Sequence, residues 1–186
     1  MDWRLENKKT LLKARPFAVE ELHINRASTN EPLPHPYYRL ASNSWVNIFA
    51  ITSDSKAILV RQPRAGAMAD TLETPGGNID DGEAPEAAAR RELEEETGYI
   101  VGRIQLLGTI NPNPAIMNNK LHMFLAQDCQ LAPSRQHFPD DSEEIQIVTV
   151  PLSALDAMIQ KGELQNALAN LTILMAQKYV LKTLGV

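Results

Sequence analysis

The sequence predicts a mixed α/β layered domain, on three observations. Short apolar strands separated by turn signals recur along most of the chain, a charge-rich helix stands in the middle, and a longer helical stretch closes the C-terminus. With 186 residues, 44% of them hydrophobic, the chain can bury a real core, as one ordinary domain or a core domain with an appendage.

Taken in order, Leu11 to Asn25 and Tyr37 to Thr52 read as strand material. Between them, Thr29 to Pro36 holds Pro32, Pro34 and Pro36, which cannot continue a ladder and favour an extended linker. Trp45 to Thr52 and Ala57 to Gln62 are short apolar strands around a turn at Ser53 to Lys56. Thr71 to Glu73 is a further short strand. The best helix candidate is Ala84 to Thr97, with Pro85 in its first turn and Gly98 just past its end. Ile100 to Ile110, His122 to Ala126 and Ile145 to Val150 again look like strands, and Leu152 to Leu184 reads as two helices separated near Gly162.

Composition excludes several classes. The net charge is -5 and no basic block stands out, which disfavours a nucleic-acid partner. An anionic small molecule remains open, because a bound divalent cation can reverse the local sign. No apolar run approaches the roughly 18 to 20 residues that would span a bilayer, so no membrane role is expected. Met1 to Thr10 is charged and lacks the apolar stretch of a secretory signal. Cys129 is the single cysteine, so it forms no internal disulfide and a cytoplasmic location is expected. It reads as a strand residue with no chemical task.

The chemistry concentrates in Gly77 to Tyr99, GNIDDGEAPEAAARRELEEETGY. On a helical wheel Glu92, Glu95 and Glu96 share an arc of about 100°. Glu94 falls on the back beside Arg90, with which it can pair, and Arg91 flanks the acidic arc and can pair with Glu95. A solvated, salt-bridged face is the ordinary reading of such a helix. Two terms oppose it here. Like charges three and four residues apart repel by a few tenths of a kcal/mol per pair, and they sit in the last turns, where the helix dipole favours cations. Something positive belongs among them. Carboxylate oxygens suit a hard ion, magnesium or manganese, and no Cys/His cluster suggests zinc. Ahead of the helix, Thr74-Pro75-Gly76-Gly77 lets the backbone approach a ligand closely.

These residues resemble the Nudix signature, with Gly77, Glu83, Arg91, Glu92, Leu93, Glu95, Glu96 and Gly98 in register. Only Tyr99 departs, standing where an aliphatic is usual, and a chance match is on the order of 10⁻⁸ per start position. The resemblance implies the Nudix fold, an α/β/α sandwich around a mixed sheet. It also implies that Glu92, Glu95 and Glu96 hold Mg²⁺ or Mn²⁺ with the Gly76 carbonyl. Arg91 would then orient a metal-binding glutamate, and Glu83 would act at one remove.

Further segments are similar to the ADP-ribose and nucleoside diphosphate sugar pyrophosphatase branch of that family: Val60 to Arg64, Leu72 to Gly77, Pro114, Asp140 to Val150, and Gly162 to Ala167. The branch implies hydrolysis of a nucleotide sugar such as ADP-ribose or GDP-mannose. It offers Arg64, Glu73 and Pro114 as substrate contacts, although Arg64 and Glu73 alone read as ordinary ion-pair residues. Asn113-Pro114-Ala115 replaces the branch's usual Ser-Pro-Gly, and Asn118-Asn119 stands where a glutamate often occurs. Both departures predict a broadened or shifted sugar specificity. The acidic loop would supply the general base, Glu143 first, with Asp141 and Glu144 as runners-up and a solvated acidic turn as the alternative. His122 reads as a hydrogen-bonded structural histidine.

Residues 1–43 look like the branch's N-terminal β domain, exchanged across a homodimer, with Trp3, Tyr37 and Tyr38 as stacking candidates; 44–186 would be the catalytic domain. Two other outcomes stay open: a Nudix enzyme acting on nucleoside triphosphates or capped RNA, and a non-catalytic nucleotide-sugar sensor, which would be expected to have lost its carboxylates.

Overall fold

The structure, a computed structural model, describes residues 1–138 and 144–183. Its strands begin earlier than the apolar pattern suggests. Strand β1 (Trp3–Lys13) is charged and fully exposed, and β2 (Ala18–Arg26) pairs with it antiparallel. The strand material expected from Leu11 to Asn25 falls on the end of β1 and on β2, with a break between them. Between them Pro16 has no N–H to give to a ladder, and Ala14 closes the turn on the Phe17 carbonyl. The β1 pattern gave no signal because neither of its faces is buried. Strand β3 (Tyr37–Ala41) completes this three-stranded sheet in the order β1-β2-β3. Its buried charge is Glu20, held by Lys8 at 3.0 Å and Arg39 at 2.8 Å from the flanking strands.

The larger sheet contains β4 (Trp45–Thr52), β5 (Lys56–Arg64), β6 (Ala69–Glu73), β7 (Gly76–Asn78), β8 (Tyr99–Ile100), β9 (Arg103–Ile110), β10 (Leu121–Leu131) and β11 (Gln146–Pro151). Its main path runs β11-β5-β4-β10-β8, with β6 on β5, β7 on β4 and β9 on β10. The β4–β10 pair is parallel, while β5 runs antiparallel to β4, β6 and β11, so the sheet is mixed. The expected strand from Ile100 to Ile110 is interrupted at Val101-Gly102, which separates β8 from β9.

Strand alternation sorts the core into two layers. Ile48, Ala50, Ile58, Phe124 and Ala126 face helix α1 (Pro85–Thr97), which contributes Ala88, Ala89 and Leu93. Phe49, Leu59 and Leu125 face the other way, onto α2 (Leu155–Gln160) and α3 (Ala167–Thr183), through Leu155, Ile173 and Ala176. This is an α/β/α sandwich. Fully burying such a side chain contributes about 1.5–3 kcal/mol.

Contacts divide the chain into two units, Met1–Ser44 with Ile110–Lys120, and Trp45–Thr109 with Leu121–Val186. In the first, Leu40 donates to the Ile116 carbonyl at 2.7 Å, adding a turn at Asn113 to Met117 to the small sheet. Among the described residues, no helix is long and apolar enough to cross a membrane.

Candidate active site

Helix α1 starts and stops as its sequence dictates. Pro85 occupies the first turn, where its missing N–H costs nothing. Gly98 adopts φ 71° and donates to the Glu94 carbonyl at 2.8 Å, closing the C-terminus. The loop before the helix is pressed against its neighbours. A Cβ on Gly77 would lie 2.5 Å from the Glu92 carboxylate, and one on Gly76 would collide with the Val46 carbonyl oxygen. Gly76 donates its N–H to Glu96 Oε2 at 2.9 Å. The close approach of strand β7 to β4 thus requires glycine at Gly76, while Gly77 lets the Glu92 carboxylate lie against the backbone.

Arg91 organises the acidic face. Its Nε and Nη2 donate to the two oxygens of Glu83, both at 2.9 Å, while Nη1 donates to Glu92 at 3.0 Å and Glu95 at 2.8 Å. Nη2 also reaches the Asn78 carbonyl at 3.0 Å. The expected Arg91–Glu95 pair is present. Arg90, in contrast, reaches back to Glu86 at 2.9 Å rather than forward to Glu94. Glu94 is buried and accepts the Gln136 N–H at 2.5 Å, in place of the pairing with Arg90 that the wheel allows. Hydrogen bonds from Arg91 hold the Glu83 carboxyl below its ordinary value, against a smaller opposing effect of burial.

Residues that sequence reasoning missed lie in the segment after β10. The Arg135 guanidinium donates to the Glu95 carbonyl and to the His137 carbonyl, and Ala132 donates to Gly98 O at 2.9 Å. The His137 ring lies 3.9 Å from both Glu94 and Glu95. The positive charge that the last turn of α1 calls for therefore comes partly from the protein itself. No spacing rule pointed to it, because the contact joins residues 40 apart.

Arg64 and Glu73 are brought together, each as the other's partner. Arg64 Nε and Nη2 grip Glu73 Oε1 and Oε2, both at 3.0 Å, and Thr71 Oγ1 adds a bond of 2.5 Å. Glu73 is 5% exposed. Burial, the largest influence, pushes its carboxyl up, but Arg64, Thr71 and Asn166 together outweigh it and hold it below the ordinary value. Pro114 lies in the Asn113 to Met117 turn of the first unit. Glu144 is exposed and borders a cleft of about 290 Å³ with Arg61, Gln62 and Asp70. Asp141 and Glu143 lie outside the described residues.

Two sequence readings concern residues away from these carboxylates. His122 meets Thr109 at 3.1 Å. Cys129 is buried, and burial raises its thiol to about 11, which keeps it unreactive.

Among the described residues no three His, Cys, Asp or Glu side chains already enclose a metal position. The donor chemistry nevertheless fits a hard divalent ion: Glu92 and Glu95 converge on one cationic nitrogen, and Glu96 stands on the same helix beside Gly76.

Fold and site together define a sandwich with a glycine-led, glutamate-rich helix on one face. A family model described as NUDIX domain matches residues 43–171, and the chain belongs to that family. The chain is similar to the ADP-ribose pyrophosphatase of Bacillus subtilis (strain 168), 28% identical over 168 residues covering 86% of each protein. It is also similar to the GDP-mannose pyrophosphatase of Citrobacter koseri, 33% identical over 117 residues, 59% of this chain and 60% of that protein. A crystal structure of an ADP compounds hydrolase superposes with TM-score 0.81 at 24% identity, covering 100% of this chain and 97% of that one, which establishes the fold over both units.

Proposed function

We propose that this protein hydrolyses the pyrophosphate bond of a nucleoside diphosphate sugar, ADP-ribose or a relative such as GDP-mannose, to a nucleoside monophosphate and a sugar phosphate. The observation that carries this reading is the arrangement of Glu92, Glu95 and Glu96 on one helix, with Arg91 tying two of them and Gly76 meeting the third. The names of the relatives support the substrate class.

Glu92, Glu95 and Glu96, with the Gly76 carbonyl, would hold Mg²⁺ or Mn²⁺. When bound, such an ion supplies charge neutralisation at the diphosphate and lowers the pKa of the attacking water. The remaining work falls to the chain. Arg91, anchored by Glu83, orients Glu92 and Glu95. A carboxylate of the acidic loop, Glu143 before Asp141 or Glu144, takes the proton from water. Arg64 faces a phosphate of the substrate, held in aim by Glu73, and Pro114 borders the substrate. The protein acts in the cytoplasm as a homodimer, for which the long exposed edge strand β1 is the supporting feature.

The test is phosphate release, after phosphatase coupling, from a panel of ADP-ribose, GDP-mannose, other diphosphate sugars, nucleoside triphosphates and capped RNA with magnesium. Diphosphate sugars should turn over fastest, and Glu96→Gln should abolish the activity. Preference for triphosphates or capped RNA would overturn the substrate assignment. Metal-dependent binding without turnover would make the protein a sensor.

A further inference from the structure

An α-helix leaves its last carbonyls without partners of its own, and an unsupported end frays. In α1 that end carries Glu95 and Glu96, held there against mutual repulsion and against the helix dipole. The Glu94 carbonyl accepts from Gly98, and the next one, of Glu95, accepts from the Arg135 guanidinium. That guanidinium is itself fixed. Its Nε donates to the His137 carbonyl at 2.8 Å, and its carbon lies 5.2 Å from the centroid of the Phe138 ring. On either side of it the chain is bound to the same helix end, Ala132 N–H to the Gly98 carbonyl at 2.9 Å and Gln136 N–H to the Glu94 carboxylate at 2.5 Å.

The carboxylate this clamp reaches is Glu95. One of its oxygens accepts from Arg91 at 2.8 Å, and the other faces the His137 ring at 3.9 Å, so it stands between the helix's own arginine and the segment that Arg135 holds. Glu96, in contrast, is buried and fixed by the Gly76 N–H. We propose that Arg135 is a positioning residue, which pins the last turn of α1 from outside the helix and so keeps Glu95 in line with Glu92 and Glu96 for a divalent cation. This rests on the reading of those three glutamates as the metal-holding set.

The sign of the effect separates positioning from charge. Deleting a positive group near a cation site tightens metal binding on Coulomb grounds alone, whereas loosening a group that orients a ligand weakens it, typically by about tenfold or more. Mn²⁺ binding, followed by the electron paramagnetic resonance of the free ion, should therefore be about tenfold weaker in Arg135→Ala than in the wild type. Arg135→Lys should weaken it as well, because an ammonium is a point donor without the planar fork that serves the Glu95 and His137 carbonyls together. Arg90→Ala, which removes an equal charge from the exposed flank of the same helix, should not weaken it. Tighter or unchanged binding in Arg135→Ala, full affinity in Arg135→Lys, or equal weakening in Arg90→Ala would each overturn the proposal. Should the Ala variant fail to fold, the Lys variant decides alone.

A second readout needs neither metal nor turnover. In EDTA the Gly98 amide should exchange about tenfold faster in both Arg135 variants, with the Leu93 amide, inside the helix, as protected as in the wild type. Unchanged exchange at Gly98, or equal loss at both amides, would overturn the proposal. Wild-type protein that binds Mn²⁺ but cleaves no diphosphate sugar would overturn the substrate reading and leave the clamp to be decided by these two measurements. Wild-type protein that binds no Mn²⁺ would overturn the metal reading and this proposal with it.

Discussion

One guanidinium hydrogen-bonds three carboxylates in this protein, with a fourth, Asp80, 4.0 Å away. Arg91 touches Glu83, Glu92 and Glu95, and its side chain is only 19% exposed, so water does little to screen the group. Removing one partner of such a cluster leaves the others as uncompensated, poorly hydrated charges. Arg91→Ala should therefore lose about 3 kcal/mol of stability in urea unfolding with EDTA present. Magnesium should recover part of that loss if an ion occupies the acidic face, because it would offset the same repulsion. An unchanged midpoint in EDTA would mean that the carboxylates relax into solvent instead. The same residues give a direction for pH. Glu83, Glu73 and Glu20 are each held below the ordinary 4.5, so their pairings contribute stability that is fully present above that value. It is lost as pH falls through their lower folded values. Thermal midpoints should hold from neutrality to about pH 5 and then fall steadily, and Glu83→Gln should flatten the fall.

At the scale of elements, the helix was legible in the sequence and its surroundings were not. Pro85, Gly98 and the glutamate spacing fix where α1 begins, ends and points its carboxylates, because all three are local rules. The partners of Glu94 and Glu95 were invisible, since Arg135, Gln136 and His137 approach from some 40 residues away with no periodic signal. Arg64 and Glu73 were legible as candidates. That they bind each other is not dictated by the β5–β6 register, which places Val60 opposite Glu73 and Arg64 opposite Ala69, so only the length of the arginine side chain lets the two meet. The loop before α1 carries the next prediction. A methyl group on Gly77 would meet the Glu92 carboxylate at 2.5 Å, and a carboxylate at the end of a flexible side chain can move aside. Gly77→Ala should leave a folded protein, with circular dichroism and melting close to wild type. Its hydrolysis should nevertheless fall by about tenfold or more, because Glu92 is displaced from the shared arc. A melt lowered as severely as the activity would instead mark Gly77 as a purely structural glycine.

For the molecule as a whole, the layered sandwich was readable because strand alternation decides which helix each apolar side chain meets. The small sheet was only partly readable. Its first strand buries no face in this chain, and hydrophobic patterning reports burial, not pairing. That exposure bears on assembly. Among the described residues β1 has a single neighbour, β2, so its outer edge, eleven residues long, presents unpaired backbone groups. Trp3, Leu5, Leu11 and Leu12 on it are all at least 43% exposed, and Lys8, Lys9 and Lys13 are the charges that blunt such an edge. A monomer would leave this apolar surface in water; pairing with a second copy would cover it. Light scattering on the intact protein should give twice the 20.7 kDa chain mass. The double substitution Leu5→Lys with Leu12→Lys should halve it, since two desolvated charges per strand would each cost several kcal/mol at a closed interface. A monomeric mass for the wild-type chain would rule out exchange of this sheet between copies, leaving β1 as an edge protected by its lysines alone.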